Sequence, residues 1–166
     1  SAKSPLTGKV CHSNSGGHFG LHLKRCGWDT ILIRGHAEKP VYIEIENDRV
    51  SIKDARHLWG MNTHDAQHAM GKGGKMVIGP AGENLVLLAT IVSQERSHGR
   101  GGMGAVMGSK NLKGIVARGT RKLEVVQPER LKEHNKGWVK SIRNHMFAGE
   151  IAPRFGTAFF LQRLNR

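Results

Sequence analysis

The sequence predicts an α+β domain of short strands and short helices, running into an α-helical region. Three observations carry this. Val41, Ile43 and Ile45 alternate with polar neighbours, and Val50 and Ile52 follow after Asn47-Asp48, the pattern of a β-hairpin. Other short apolar runs are separated by glycine-rich breaks and by stretches of helical period. From residue 127 the strand signal stops, and Pro128 opens a run that places Leu131, Trp138, Ile142 and Met146 on one helical face. The expected division is therefore 1–126 for the sheet domain and 127–166 for the start of a helical one.

Taken in order, residues 1–15 are small and polar and read as strand edge or loop. From Gly16, GGHFGLHLKRCG sets Phe19, Leu23 and Cys26 at helical spacing, with Gly27 just past the end. TILIRG has strand length and composition, and the hairpin follows. Thr63 is a candidate cap for a short helix through HDAQHAM, which GKGG breaks. KMVIG and NLVLLATIV read as strands joined by a GPAGE turn. An arginine–glycine loop follows, then a helix through GAVMGSKNLK and a strand through GIVARG. A last helix is expected from near Thr157.

The chain has 166 residues, with 38% hydrophobic and 5% aromatic residues, lean for a self-contained core. Part of its surface is expected to be buried against something else. Lys and Arg number 26 against 13 Asp and Glu, a net charge of +13. That balance suits nucleic acid, an anionic membrane or phosphorylated ligands. The basic residues are dispersed, however, and neither a ribonucleoprotein aromatic pattern nor a zinc-finger spacing is present. Cys11 and Cys26 lie far apart and form no C-x-x-C, so a zinc or iron–sulfur site within this sequence has no support. Two buried free thiols are expected, although a disulfide is allowed. No apolar run approaches a membrane span, and no signal peptide is expected within these residues. The sequence opens on Ser1 inside a turn-rich SAKSPLTG and stops inside TAFFLQRLNR. It is expected to be a piece of a longer protein.

Two constellations ask for an anion. In SNSGGHFG (residues 13–20), Ser13, Asn14 and Ser15 precede two glycines and a helix. The first amides of a helix have no internal partner and, with the helix dipole, favour negative charge. The same residues also suit a plain helix cap with a loose first turn. In RSHGRGGMG (residues 96–104), Arg96 and Arg100 bring fork-shaped donors suited to phosphate. Gly99, Gly101, Gly102 and Gly104 allow successive amides to form an anion-holding nest. The helix that follows is expected to add its N-terminus to the same field. A mobile surface loop is the alternative. His64 and His68 stand at i, i+4, but without a third ligand they read as solvent-exposed histidines. No nucleophile–base set can be assembled from spacing. The residues thus describe a platform for an anionic cofactor rather than a complete active site.

The motifs resemble the aldehyde:ferredoxin oxidoreductase family of tungsten- or molybdenum-dependent bis-pterin enzymes. The similarity is carried by GRGGMGAVMGSKNLKGIVARG, with AKSPLTG, HSNSGGHFG, CGWDTILIRGHAEKPVYIEI, DARHLWG and IGPAGENLV in the family's order. TRKLEVVQPERL and RFGTAFFL resemble the passage into the next domain. The resemblance implies a domain of two β-sheets under a tungstopterin or molybdopterin, followed by helical domains. It implies pterin contacts at Asn14, Gly16, Arg96, Ser97, Gly99 and Arg100. It also implies a magnesium ion bridging the pterin phosphates, with the main-chain carbonyls of Asn14 and Ser97 among its ligands. Ser97 stands where the family has alanine, and His98 replaces a small residue, either narrowing the pocket or adding a donor.

A 4Fe–4S cluster, held by the helical domains, is implied as the relay to ferredoxin or another acceptor. The usual reaction oxidises an aldehyde to a carboxylic acid with water as oxygen source, in a cytoplasmic enzyme, and the family allows a homodimer. A further pterin-contacting arginine, the cluster cysteines and the acid/base groups lie outside this sequence, so the chain alone is expected to be inactive. Nucleic acid is not expected as a partner. The alternatives kept open are a basic nucleic-acid-binding module and a non-catalytic pterin or phosphate binder.

Overall fold

A computed structural model describes residues 1–161. It divides into two compact units, Ser1–Leu123 and a helical one beginning at Glu124.

The first unit holds two sheets. The smaller pairs β1 (Ala2–Lys3) with β2 (Val10–Cys11). The larger has six strands: β3 (Val41–Glu46), β4 (Arg49–Asp54), β5 (Gly74–Val77), β6 (Ile91–Ser93), β7 (Arg96–His98) and β8 (Leu112–Arg118). Their spatial order is β4-β3-β8-β5-β6-β7, antiparallel except for the β3–β8 pair. The last strand in sequence therefore lies inside the sheet. It reads LKGIVAR and is buried from Leu112 to Ala117, as a strand covered on both faces must be.

Period-two alternation divides the core between the two faces. Ile115 and Ala117 of β8 join Leu23, Cys26, Ile45 and Met107 in one cluster. Val116 joins Val77, Leu58, Met70 and Ala55 in the other. Helix α1 (Phe19–Cys26) packs on β8 and β5 and ends at Gly27 in the left-handed conformation (φ 96°), as its spacing predicted. Lys113 has no exposed surface; it pairs with Glu83, and its ammonium also donates to the Met61 carbonyl at 2.8 Å. The second carboxylate oxygen of Glu83 accepts from the Gly60 amide at 2.8 Å.

The structure corrects several expectations. TILIRG is extended but joins no ladder. Both neighbours of β3 are already strands, so this segment instead lays Ile31 and Ile33 against the core. GPAGE is not a simple turn but a one-turn helix, α3 (Pro80–Glu83). NLVLLATIV gives strand only at its end, because Leu85 turns left-handed (φ 57°) and stops the chain from extending. Helix α2 (Thr63–Ala69) is capped by Asn62, not Thr63: its side chain accepts from the Asp65 amide at 2.9 Å. Helix α4 (Met103–Gly108) is shorter than GAVMGSKNLK, since Asn111 is left-handed (φ 53°) and β8 begins at once. Cys26 is a buried thiol as expected, whereas the free thiol of Cys11 is only half-buried.

The second unit begins with α5 (Pro128–Asn144), whose apolar face is exposed, with Trp138 at 74% and Ile142 at 52%; Met146, expected on the same face, lies beyond the helix end. A wide turn at Met146–Ile151 leads into α6 (Ala152–Phe155) and a tight helical turn, Gly156–Phe160. The expected last helix is thus a tight turn as far as Phe160, and residues 162–166 lie outside the described part. Phe147 and Phe160 pack with ring centroids 5.4 Å apart. Among the described residues no helix is long and apolar enough to cross a membrane.

Candidate functional site

The two glycine-rich stretches meet. The first is the loop between β2 and α1; the second is the β6–β7 hairpin with the turn that follows it. His98 Nδ1 donates to the Ser13 carbonyl at 3.0 Å, and the Arg100 amide donates to Ser13 Oγ at 3.3 Å. Five residues on, the His18 amide donates to Gln94 Oε1 at 3.0 Å. The first loop is therefore pinned to the hairpin at both ends, at Ser13 and at His18. Between the pins, a Cβ on Gly16 would sit 3.4 Å from Arg96 Cγ, so side chain and loop are in contact.

Gly17 is the one residue of the first loop that must be glycine. Its φ is +93°, and a Cβ there would fall 2.8 Å from Ser93 Oγ, a buried hydroxyl with no hydrogen-bond partner. In the second stretch the same holds for Gly102. It is left-handed (φ +67°), and a Cβ would run into the Leu87 carbonyl.

Each residue singled out from the sequence is on this surface. Asn14, Gly16, Arg96, Ser97, Gly99 and Arg100 are all exposed, and the pins bring the two groups side by side. Among the described residues, the amides of Asn14, Gly16, Gly17, Gly99 and Gly101 make no hydrogen bond. The side chains of Arg96 and Arg100 have neither hydrogen bond nor ion pair there. This is a donor-rich, acceptor-poor surface. Main-chain N–H groups and guanidinium forks left without protein partners are what a phosphate requires.

Two expectations about how the amides become available need correction. Helix α1 starts at Phe19, with His18 as its cap residue, so Gly16 and Gly17 belong to the loop and not to the first helical turn. The start of α4 does not open onto the platform: Met103, Gly104 and Ala105 are buried, and the Gly104 amide donates to the Ala89 carbonyl at 2.9 Å. The unpaired amides of this surface are loop amides, not helix ends. RSHGRGGMG is also not one loop, because Arg96–His98 is edge strand β7. Of the two roles open to His98, the added donor is the one seen, to Ser13.

Gln94 and Gln67 were not legible as site residues. Gln67 Oε1 accepts from the Gln94 amide at 2.6 Å, and its Nε2 donates to the Gln94 and Thr63 carbonyls. These bonds span 27 residues, and Gln94–His18 spans 76; no local pattern announces either. His64 and His68 are exposed, and no group of three or more His, Cys, Asp or Glu able to hold a metal exists among the described residues.

The fold and this surface define a class: a small mixed-sheet domain that presents two paired glycine-rich loops with unpaired donors. Residues 1–119 match the family model described as aldehyde ferredoxin oxidoreductase, N-terminal domain. The tungsten-containing aldehyde ferredoxin oxidoreductase of Pyrococcus furiosus is 43% identical over 170 residues, covering 98% of this chain and 28% of the relative. The aliphatic sulfonate oxidoreductase, WOR-like subunit, of the same organism is 39% identical over 79% of the chain and 24% of its own length. A solved structure, the active site complex BamBC of benzoyl coenzyme A reductase in complex with 1,5 dienoyl-CoA, superposes with a TM-score of 0.81. It is 37% identical and covers 86% of this chain and 23% of the other. The chain belongs to the aldehyde ferredoxin oxidoreductase family, as the N-terminal domain of an oxidoreductase. It spans about a quarter of the length of these relatives.

Proposed function

We propose that this domain is the phosphate-gripping base of a tungstopterin cofactor in an oxidoreductase acting on aldehydes. The observation that carries the reading is the pinned pair of loops, with unpaired amides at Asn14, Gly16, Gly99 and Gly101 and unpaired guanidiniums at Arg96 and Arg100. The aldehyde ferredoxin oxidoreductase of Pyrococcus furiosus is named as tungsten-containing, which favours tungsten over molybdenum. In this reading Arg96 and Arg100 bind pterin phosphate oxygens in fork geometry. Ser97 and Gly99 present main chain to the same group. The main-chain carbonyls of Asn14 and Ser97 would be the ligands this chain supplies to a magnesium ion bound with the phosphates. When bound, the metallopterin supplies the oxidation of aldehyde to carboxylic acid. The present residues bind and orient it, and none of them moves a proton or electron. Electron relay through a 4Fe–4S cluster to ferredoxin, and any contact between two subunits, belong to the rest of the protein. The chain by itself is inactive.

The test is Arg100→Ala in the protein that carries this domain, with tungsten measured by elemental analysis and pterin by the fluorescence of its oxidised form. A hydrogen bond to a charged group contributes about 1.5–3 kcal/mol, so the variant is expected to hold its cofactor roughly tenfold to a hundredfold more weakly. Full tungsten and pterin content, kept through extensive dialysis, would refute the assignment.

A further inference from the structure

We propose that Gln94 is the positioning residue that keeps the two anion-binding loops in register, a role that rests on the cofactor reading above. Gln94 lies in the turn between β6 and β7, left-handed at φ 56°. Its main chain is held from below: its amide and carbonyl both bond the Gln67 side chain, on α2. Gln67 is itself 9% exposed and tied to Thr63 of its own helix. The Gln94 side chain reaches the other way, to His18. The His18 amide can only donate, so the oxygen of the carboxamide faces it, at 3.0 Å. The nitrogen is thereby directed at His18 Nδ1, also 3.0 Å away. A carboxamide nitrogen only donates, so Nδ1 is the acceptor of this contact. One side chain thus satisfies two groups of His18 in a single orientation.

The placement gives this bond its consequence. Ser13 and His18 are the two fixed ends of the first loop, and the unpaired amides of Asn14, Gly16 and Gly17 lie between them. The Ser13 end is held by His98 and Arg100, inside the second loop itself. The His18 end is also the cap of α1, its carbonyl accepting from the His22 amide at 3.0 Å, and among the described residues its hydrogen bonds to the hairpin come from Gln94. Without Gln94 that end keeps its place on α1 but loses its tie to the hairpin, and the loop amides are no longer set in register with Arg96 and Arg100. Gln94 touches no ligand in this arrangement; it acts through His18.

Gln94→Gly tests this, since glycine suits the left-handed turn and removes only the side chain. Hydrogen exchange on the whole protein reads the clasp directly. The His18 amide is expected to exchange roughly two- to tenfold faster, with β8 unchanged, and tungsten and pterin content is expected to fall. Gln94→Glu keeps an acceptor for the His18 amide and should preserve its protection. Unchanged exchange at His18 in Gln94→Gly overturns the proposal, and so does faster exchange with full cofactor content. Arg100→Ala separates the two readings: it should lose cofactor while the His18 amide stays protected. Full content in that variant refutes the cofactor reading, and the clasp is then judged on exchange alone.

Discussion

The pair Lys113–Glu83 gives the sharpest test of the fold. Lys113 sits on the central strand with a fully buried side chain, and Glu83 is 4% exposed. Each has one further partner, the Met61 carbonyl for the ammonium and the Gly60 amide for the carboxylate. Removing one member leaves the other charged and dry, at a cost of about 3–5 kcal/mol. Lys113→Met is therefore expected to lose that much. With a urea m value of about 2 kcal/mol/M, the midpoint falls by roughly 2 M. Replacing both, as Lys113→Met with Glu83→Leu, leaves no orphaned charge and is expected to recover most of the loss, since such swaps are often neutral or stabilising. Urea unfolding followed by Trp59 fluorescence measures all four members of the cycle. If Lys113→Met costs less than about 1 kcal/mol, or the double variant loses the sum of the singles, the pair is not the closed unit described here.

Other outcomes follow from the same reasoning. Arg118 donates to the Lys72 and Met70 carbonyls and pairs with Glu44. Arg118→Lys keeps the charge but loses the fork, and should cost about 1.5–3 kcal/mol by urea unfolding; no change would show the fork is idle. Asn62→Ala removes the α2 cap, costing about 1 kcal/mol, and exchange at the Asp65 amide should rise with it. The His22 imidazole is held below its usual value of 6.5 by burial, then by the Arg25 and His18 charges. The unfolded chain takes up a proton there that the folded one refuses. Its contribution is complete above pH 6.5 and lost as pH falls through the lowered folded value. His22→Leu should flatten that part of the stability profile between pH 7 and 5. An identical slope in both proteins would exclude His22 as its source.

What was legible in the sequence was local. The 41–54 hairpin, the Gly27 helix end and the β8 strand each rest on periodicity or on one residue's backbone preference, and these survive in the fold. What failed depended on partners far along the chain. TILIRG has strand composition, but the sheet had no vacant edge beside it. NLVLLATIV is apolar enough for a strand, yet a left-handed Leu85 stopped it. The candidate site divides in the same way. Its glycines and arginines are chemically conspicuous, so Gly16, Arg96 and Arg100 could be named in advance. The clasps through Ser13, His98, Gln94 and Gln67 are ordinary polar residues, brought together only by tertiary structure. The α4 amides illustrate the opposite error: a helix start in the right place whose donors are spent inward on Ala89.

The position of β8 also bears on how the domain is made. It is the last of the six strands of the larger sheet to be synthesised, yet it lies between β3 and β5. Until Leu112–Arg118 emerges, β3–β4 and β5–β6–β7 are two pieces not yet joined by the strand that pairs with both, and α1 lacks one of the two strands on which it packs. The second loop ends at Gly104 and β8 at Arg118, so synthesis at about 5–20 residues per second leaves both loops without their shared frame for about one to three seconds. A nascent chain halted before Lys113 should carry every glycine and arginine of the platform and still be unable to grip a phosphate. On the proposed cofactor reading, loading of the domain is in this sense timed by a single strand set apart from the loops themselves.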